Sequence, residues 1–392
     1  MRPSKFKRMA GLFLAGCWLC SAARADDPAS GGINGVAPSE SLANALTPAQ
    51  WNQVEQCVDR ALAWLASHQA ADGSFPSRAV AQPAVTSLCV LAFLSRGHQP
   101  GQGPYGEQLN RAIDFVLESQ LPDGLISFVA PEPVFNIRGA SYTGSYNHAI
   151  AGLMLGEVFG HVRGQRSKNV KQALQKAIQY TRELQTRVKQ YPNDRGGWRY
   201  IRIQNPPNDA DSDLSVTGWQ LMFLRSARNA EFKVPQEYID EAMDYIHRAW
   251  NPQIEMFHYE ISAGQRDRYS RGLVGSAILS LALGGQHRSP EALAAGDWLL
   301  NHPFRDYNEH IGSSDRFFYS TYYCSQAAAQ LGGNYWTGIF PPIAEILLRI
   351  QHPDGSFPLE TRTDAPFGPE YSTAMAVLSL TPAYQILPVY QR

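Results

Sequence analysis

Three carboxylates alternate along Asp209-Ala210-Asp211-Ser212-Asp213, directly before an apolar segment that opens at Leu214. Acids crowded into one site oppose each other's charge, so one keeps its proton at unusually high pH and can serve as a general acid. Asp211 and Asp213 stand nearest the apolar segment and are candidate site residues as polar groups at its start. The competing reading is structural: Asp213 and Ser215 cap a helix beginning near Ser215, and the other acids sit in a solvated loop. Polar residues also stand at the starts of other apolar segments: Tyr146, His148, Arg271, Tyr322, Cys324 and Glu370. Tyr142, Trp198, Trp219, Tyr323 and Trp336 could stack on flat ligand faces, and Arg138, Arg271 or Glu370 could serve acidic sugars. A lone His or Cys on an apolar helix is ordinarily a core residue, and aromatic side chains also pack walls.

Two kinds of helix must position these residues. Amphipathic helices are expected at about 47–69, 107–120, 167–187, 235–250, 289–301 and 336–351. Thr47-Pro48 with Gln50, and Ser289-Pro290, mark two of their starts. Between them lie six nearly uncharged segments on one register, beginning at Thr86, His148, Thr217, Val274, Cys324 and Thr373. Helices apolar on every face must be buried, so these are inner helices and the amphipathic ones outer. The last inner segment, Ala374-Met375-Ala376-Val377-Leu378, is as apolar as the middle ones, whereas an open solenoid needs a polar cap. An all-α, closed (α/α)6 toroid over 47–392 follows, with converging inner-helix N-termini that favour anions at one mouth.

Outer helices end on a shared signature. Gln69-x3-Gly73-x-Phe75, Gln120-x3-Gly124 and Gln351-x3-Gly355-x-Phe357 keep one spacing, each with Asp before the Gly, and Gly196-Gly197-Trp198 is a variant. Together with Asp213 to Gln220 and Tyr371 to Leu378, this resembles the prenyltransferase/squalene-cyclase (terpenoid cyclase) repeat family. The likeness is greatest to secreted bacterial members of unassigned activity, so it implies fold far more than function. Squalene-cyclase relatives protonate an alkene from an Asp-x-Asp-Asp cluster at an inner-helix start. The resemblance puts Asp213 in the donor position, with Leu214 replacing the last acid. Prenyltransferase relatives bind zinc through Asp-x-Cys and a His. His148 and Cys324 share a register position, but Tyr322 stands where the Asp belongs, so no metal and no cofactor is expected.

The remaining features concern compartment and partners. Arg2, Lys5, Lys7 and Arg8, a short apolar run, and Ala23-Arg24-Ala25 read as a signal peptide over 1–25, with a flexible lead-in over 26–46. Leu14-Ala15-Gly16-Cys17 offers the alternative of a lipoprotein anchored at Cys17. Either places the protein outside the cytoplasm. The apolar run is too short to span a bilayer. Cleavage leaves 29 basic and 35 acidic residues, a net charge of −6, which argues against nucleic acid or an anionic membrane as partner. Three function classes stay open: a non-catalytic binding or scaffold toroid, an isoprenoid- or lipid-handling enzyme using Asp213, and a polysaccharide-binding or -cleaving protein.

Overall fold

The computed structural model describes residues 37–392 apart from 203–208, 263–268, 308, 310, 312–314, 361 and 392, and apart from the side chains of 362–364. The signal peptide, Cys17 and most of the lead-in lie outside the described residues. From residue 37 the lead-in is docked rather than free: Trp336 Nε1 donates to the Leu42 carbonyl at 2.7 Å and Trp51 Nε1 to that of Ala43 at 2.8 Å.

Twelve α-helices alternate between two rings among the described residues. The outer ones are α1 (Pro48–His68), α3 (Gly106–Glu118), α5 (Gly164–Thr186), α7 (Gln236–Arg248), α9 (Pro290–Asn301) and α11 (Gly333–Ile350). The inner ones are α2 (Ala84–Ser95), α4 (Ala140–Val158), α6 (Leu214–Asn229), α8 (Arg271–Leu283), α10 (Phe317–Leu331) and α12 (Pro369–Leu380). Each inner helix packs on the next, and α12 returns to α2, so the ring is closed. Every residue of α2 is buried. Such a helix has no solvent face and is held by burial alone. Two inner helices start well before their apolar runs, α4 at Ala140 and α10 at Phe317. Ser141-Tyr142-Thr143-Gly144-Ser145-Tyr146 has loop-like composition, and packing inside the ring overrides that preference.

The repeated Gln joins neighbouring outer helices. Its amide donates both to the Gly carbonyl of its own loop and to a carbonyl on the next outer helix. Gln69 reaches Gln108, Gln120 reaches Ala173, and Gln351 reaches Cys57, at 2.8 to 2.9 Å. A fourth copy, at Gln185, reaches Tyr238 at 2.9 Å and the Gly196 carbonyl at 3.0 Å, although its loop is longer. At Gly355, φ is +98° and a Cβ would stand 2.5 Å from the Arg60 carbonyl oxygen, so the loop touches α1 only because Gly is there. At the opposite end of the ring the C-terminal turn packs across the ends of α6 and α10. Asn229 donates to the Pro388 carbonyl at 3.0 Å and Gln330 to that of Tyr390 at 2.7 Å.

Candidate functional site

The outer-to-inner loops deliver the chain to six inner-helix N-termini, and those N-termini are already occupied. Glu132 accepts from Ala140 and Ser141 on α4. Asp213 accepts from Val216 on α6, Asp315 from Arg271 on α8, and Glu360 from Phe317 and Phe318 on α10. Asn147 and Gln82 oxygens serve α2, and Glu370 sits in the first turn of α12. The protein's own carboxylates therefore answer the helix dipoles. The expected anion-friendly mouth is corrected to one whose helix N-termini already have acceptors from the protein itself.

A cavity of about 70 Å3 lies on the ring axis beneath this mouth, lined by Leu88, Ile150, Tyr142, Tyr146, Trp219, Tyr319 and their neighbours. Tyr142, Tyr146, Arg316, Tyr319 and Phe367 are only half-buried there and form its outer rim. The hydroxyls of Tyr146 and Tyr319 meet at Ser215 Oγ, at 3.3 and 2.6 Å. Trp219 stacks on Tyr322 at 5.6 Å with planes 8° apart.

Asp213 lies behind this wall and is wholly buried. Its Oδ1 accepts from Val216 N at 2.8 Å, which is an N-cap, while Oδ2 makes no hydrogen bond. Arg199 Nη1 is 3.8 Å from that Oδ2 and 2.7 Å from Glu260 Oε2. Arg199 Nη2 reaches Asp209 at 3.4 Å, and Arg202 also pairs with Asp209. Two guanidiniums thus face three carboxylates. Burial pushes the Asp213 carboxyl up to about 6, with Arg199 opposing and Glu260 assisting. Burial also drives the hydroxyls of Tyr146, Tyr200 and Tyr259 well above their ordinary range, which keeps them neutral donors. Tyr200 and Tyr259 share a hydrogen bond at 2.7 Å, and Arg199 lies 5.0 Å over the Tyr200 ring.

The three alternating acids do not act together. Asp209 is taken by Arg199 and Arg202. Asp211 accepts from the Gln190 backbone, and its carbonyl takes Lys189 Nζ at 3.3 Å, which ties down the α5–α6 loop. None of the three lines the cavity; Asp213 lies two residues before Ser215, whose hydroxyl meets Tyr146 and Tyr319 of the cavity wall. The cluster expected from spacing is therefore replaced by a different one, because Arg199 and Arg202 hold Asp209 while Gln190 and Lys189 hold Asp211.

The other residues singled out in sequence divide sharply. Tyr146, Tyr142 and Trp219 line the cavity. His148 does not: its Nδ1 accepts from Ile126 N at 3.1 Å and its Nε2 meets Thr181 Oγ1 at 2.9 Å. At the same register position Thr86, Thr217 and Thr373 accept from Phe75, Trp198 and Phe357. His148 is thus one more anchor of the loop signature, and burial lowers its pKa to about 4. Arg271 is fully buried on Asp315 at 2.6 Å and lies 3.9 Å over the Phe304 ring. Cys324 is buried with Sγ 3.2 Å from the Arg271 carbonyl, and burial pushes its thiol up. Tyr322 shares its hydroxyl with Tyr390 deep in the ring. Among the described residues no three His, Cys, Asp or Glu converge as metal ligands, and no helix is long and apolar enough to cross a membrane. Sequence reasoning missed Arg199, Tyr200, Tyr259, Glu260 and Tyr319. The available signal was Trp198-Arg199-Tyr200 and Phe257-His258-Tyr259-Glu260, charged residues interleaved with aromatics just before two inner helices.

No protein-family model matches the chain, and no curated protein matches it in sequence. Solved structures match the fold. The apo type II terpene cyclase MstE from Scytonema aligns at 16% identity and TM-score 0.51, over 86% of this chain and 99% of that one. An MstE variant complexed with geranylgeranyl dihydroxybenzoate gives 17%, 0.53, 87% and 100%. An inactive variant of the GH76A α-1,6-mannanase of Salegentibacter sp. HEL1_6, complexed with α-1,6-mannotetrose, gives 10%, 0.57, 85% and 99%. At these identities the likeness is one of architecture, an (α/α)6 toroid, and it assigns no activity.

Proposed function

We propose that this chain is an exported toroid that binds an uncharged, apolar, isoprenoid-like molecule in its axial cavity, with Asp213 as a buried acid able to protonate it. The observation that carries this reading is an aromatic axial cavity whose wall hydroxyls meet Ser215, two residues from the fully buried carboxyl of Asp213. The preceding tyrosine hydroxyls, Tyr146 and Tyr319, connect the cavity wall to Ser215 on the same helix turn. Loops around the mouth carry the exposed large apolar side chains Phe128, Val134, Ile137, Val188, Ile254 and Leu359, which suits an apolar ligand. Occupied helix N-termini disfavour a phosphate ester or an acidic sugar. MstE, whose substrate complex holds geranylgeranyl dihydroxybenzoate, offers a chemical parallel.

Polysaccharide cleavage is supported less well. A larger open groove of about 710 Å3 lies at the opposite end, but its carboxylates, Asp240 and Asp244, share one helix and do not flank a space. A non-catalytic toroid is the second reading, favoured by the small volume of the axial cavity, room for about two waters. An isoprenoid must displace the half-buried rim side chains to enter.

The test is a titration of the full chain with geranylgeraniol and, separately, with α-1,6-mannotetraose, following tryptophan emission and its loss in Trp219→Phe. Saturable change with the isoprenoid alone is expected, followed by a product with wild type and none with Asp213→Asn. Absence of any isoprenoid response sinks the ligand reading, and turnover by Asp213→Asn sinks the acid. Export is tested by N-terminal sequencing of secreted protein, with Asp26 expected first.

A further inference from the structure

Leu214 follows Asp213, so the chain puts no acid directly after it. The fold brings a different carboxylate to the place. Leu214 N donates to the Tyr259 carbonyl at 2.9 Å, which pins the segment before α8 along the first residue of α6. Glu260, the next residue, is buried there, and its Oε2 lies 2.7 Å from Arg199 Nη1. The same Nη1 is 3.8 Å from Asp213 Oδ2. Arg199 Nε and Nη1, Asp213 Oδ2 and Glu260 Oε2 satisfy hydrogen-bond geometry with nothing. Charge alone holds these three side chains together. Nη1 thus sits about an ångström nearer to Glu260 than to Asp213, and at reduced dielectric that difference matters.

Resting on the acid reading of Asp213 given above, we infer that Glu260 is a positioning residue for Asp213, acting through Arg199. By drawing the Arg199 guanidinium to itself, it leaves Asp213 as the proton-bearing carboxyl. The other groups facing Asp213 do not compete for this role. Asp209 is half-buried and already shared by Arg199 and Arg202. Tyr146, Tyr200, Tyr245, Tyr259 and Tyr319 surround the acid as neutral hydroxyls, each raised chiefly by burial. Tyr142 completes the ring of aromatics, 4.5 Å from Tyr200.

Removing the Glu260 charge frees Arg199 to pair with Asp213, which favours the ionised carboxylate. Removing the Arg199 charge leaves two carboxyls without their cation, which favours the protonated one. The experiment is a pH titration of the free, full-length protein by infrared difference spectroscopy, following the protonated-carboxyl band that Asp213→Asn abolishes. In Glu260→Gln that band should vanish about one pH unit lower than in wild type. In Arg199→Gln it should persist to higher pH, and Glu260→Asp should keep it close to wild type. An unmoved band in either variant overturns the inference, as does a wild-type band that titrates in the ordinary aspartate range. Opposite signs let one variant decide if the other fails to fold. Since no ligand is present, failure here is separable from failure of the isoprenoid reading.

Discussion

The side-chain amide of Gln351 donates to the carbonyl of Cys57 at 2.8 Å, joining the last outer helix to the first across 294 positions of chain. The same amide holds the Gly355 carbonyl at 3.0 Å. Replacing Gln351 by Ala leaves both carbonyls without this donor, a loss of about 2 kcal/mol. Calorimetry should show a lower melting temperature for Gln351→Ala, with Gln53→Ala, an exposed position on α1, unchanged. Equal melting temperatures for both would mean that the closing contact contributes nothing.

Gly196 shows how closely the loops approach the outer ring. Its φ is +85° and a Cβ would fall 2.0 Å from the Glu241 carbonyl oxygen on α7. Alanine there meets an unfavourable backbone and a collision with main chain together, so Gly196→Ala should destabilise by about 2 kcal/mol or more. By contrast, Gly160→Ala has open space and a negative φ, and should be close to neutral. Urea unfolding of the two variants tests the ranking.

His148 supplies a pH dependence. Burial holds its pKa near 4, against an ordinary value of 6.5. The unfolded chain therefore binds the proton first as pH falls. The stability it contributes is complete above about 6.5 and is lost progressively down to about 4, amounting to about 3 kcal/mol. In His148→Thr, the residue found at this position in three other inner helices, that part of the acid sensitivity should disappear. Unfolding free energies measured at intervals from pH 7 to 4 check it.

The architecture was legible because its signals are local and repeated: Gln and Gly at one spacing, and inner segments with scarcely a charge. Their common function is visible only in three dimensions, where Gln185 proves equivalent to Gln69 despite the longer loop that follows it. The site was legible in part. Asp213, Tyr146 and Trp219 stand at inner-helix starts, where topology alone points. His148 stands there too, yet its ring faces the loop behind it, since one turn of helix presents side chains both to the axis and to the outer ring. Glu260 and Arg199 escaped notice because 61 positions separate them and neither belongs to a spaced motif. Spacing along the chain reports pairs on one element, whereas this pair is made by two loops meeting at Leu214.

Asp213 should cost the protein stability at neutral pH. Its folded pKa is raised to about 6 from 3.8, so its stabilising influence is complete below 3.8 and is lost as pH rises through about 6. Above that range the buried carboxylate is charged, and Arg199 at 3.8 Å only partly compensates. Asparagine caps helices as well as aspartate does and can keep the 2.8 Å bond from Val216 N. Asp213→Asn should therefore match wild type near pH 4 and melt at a higher temperature at pH 8. A residue serving only as a cap predicts no such divergence. Melting curves of the two proteins that run parallel from pH 4 to 8 would rule out a stored proton, and with it the chemical role assigned to this side chain.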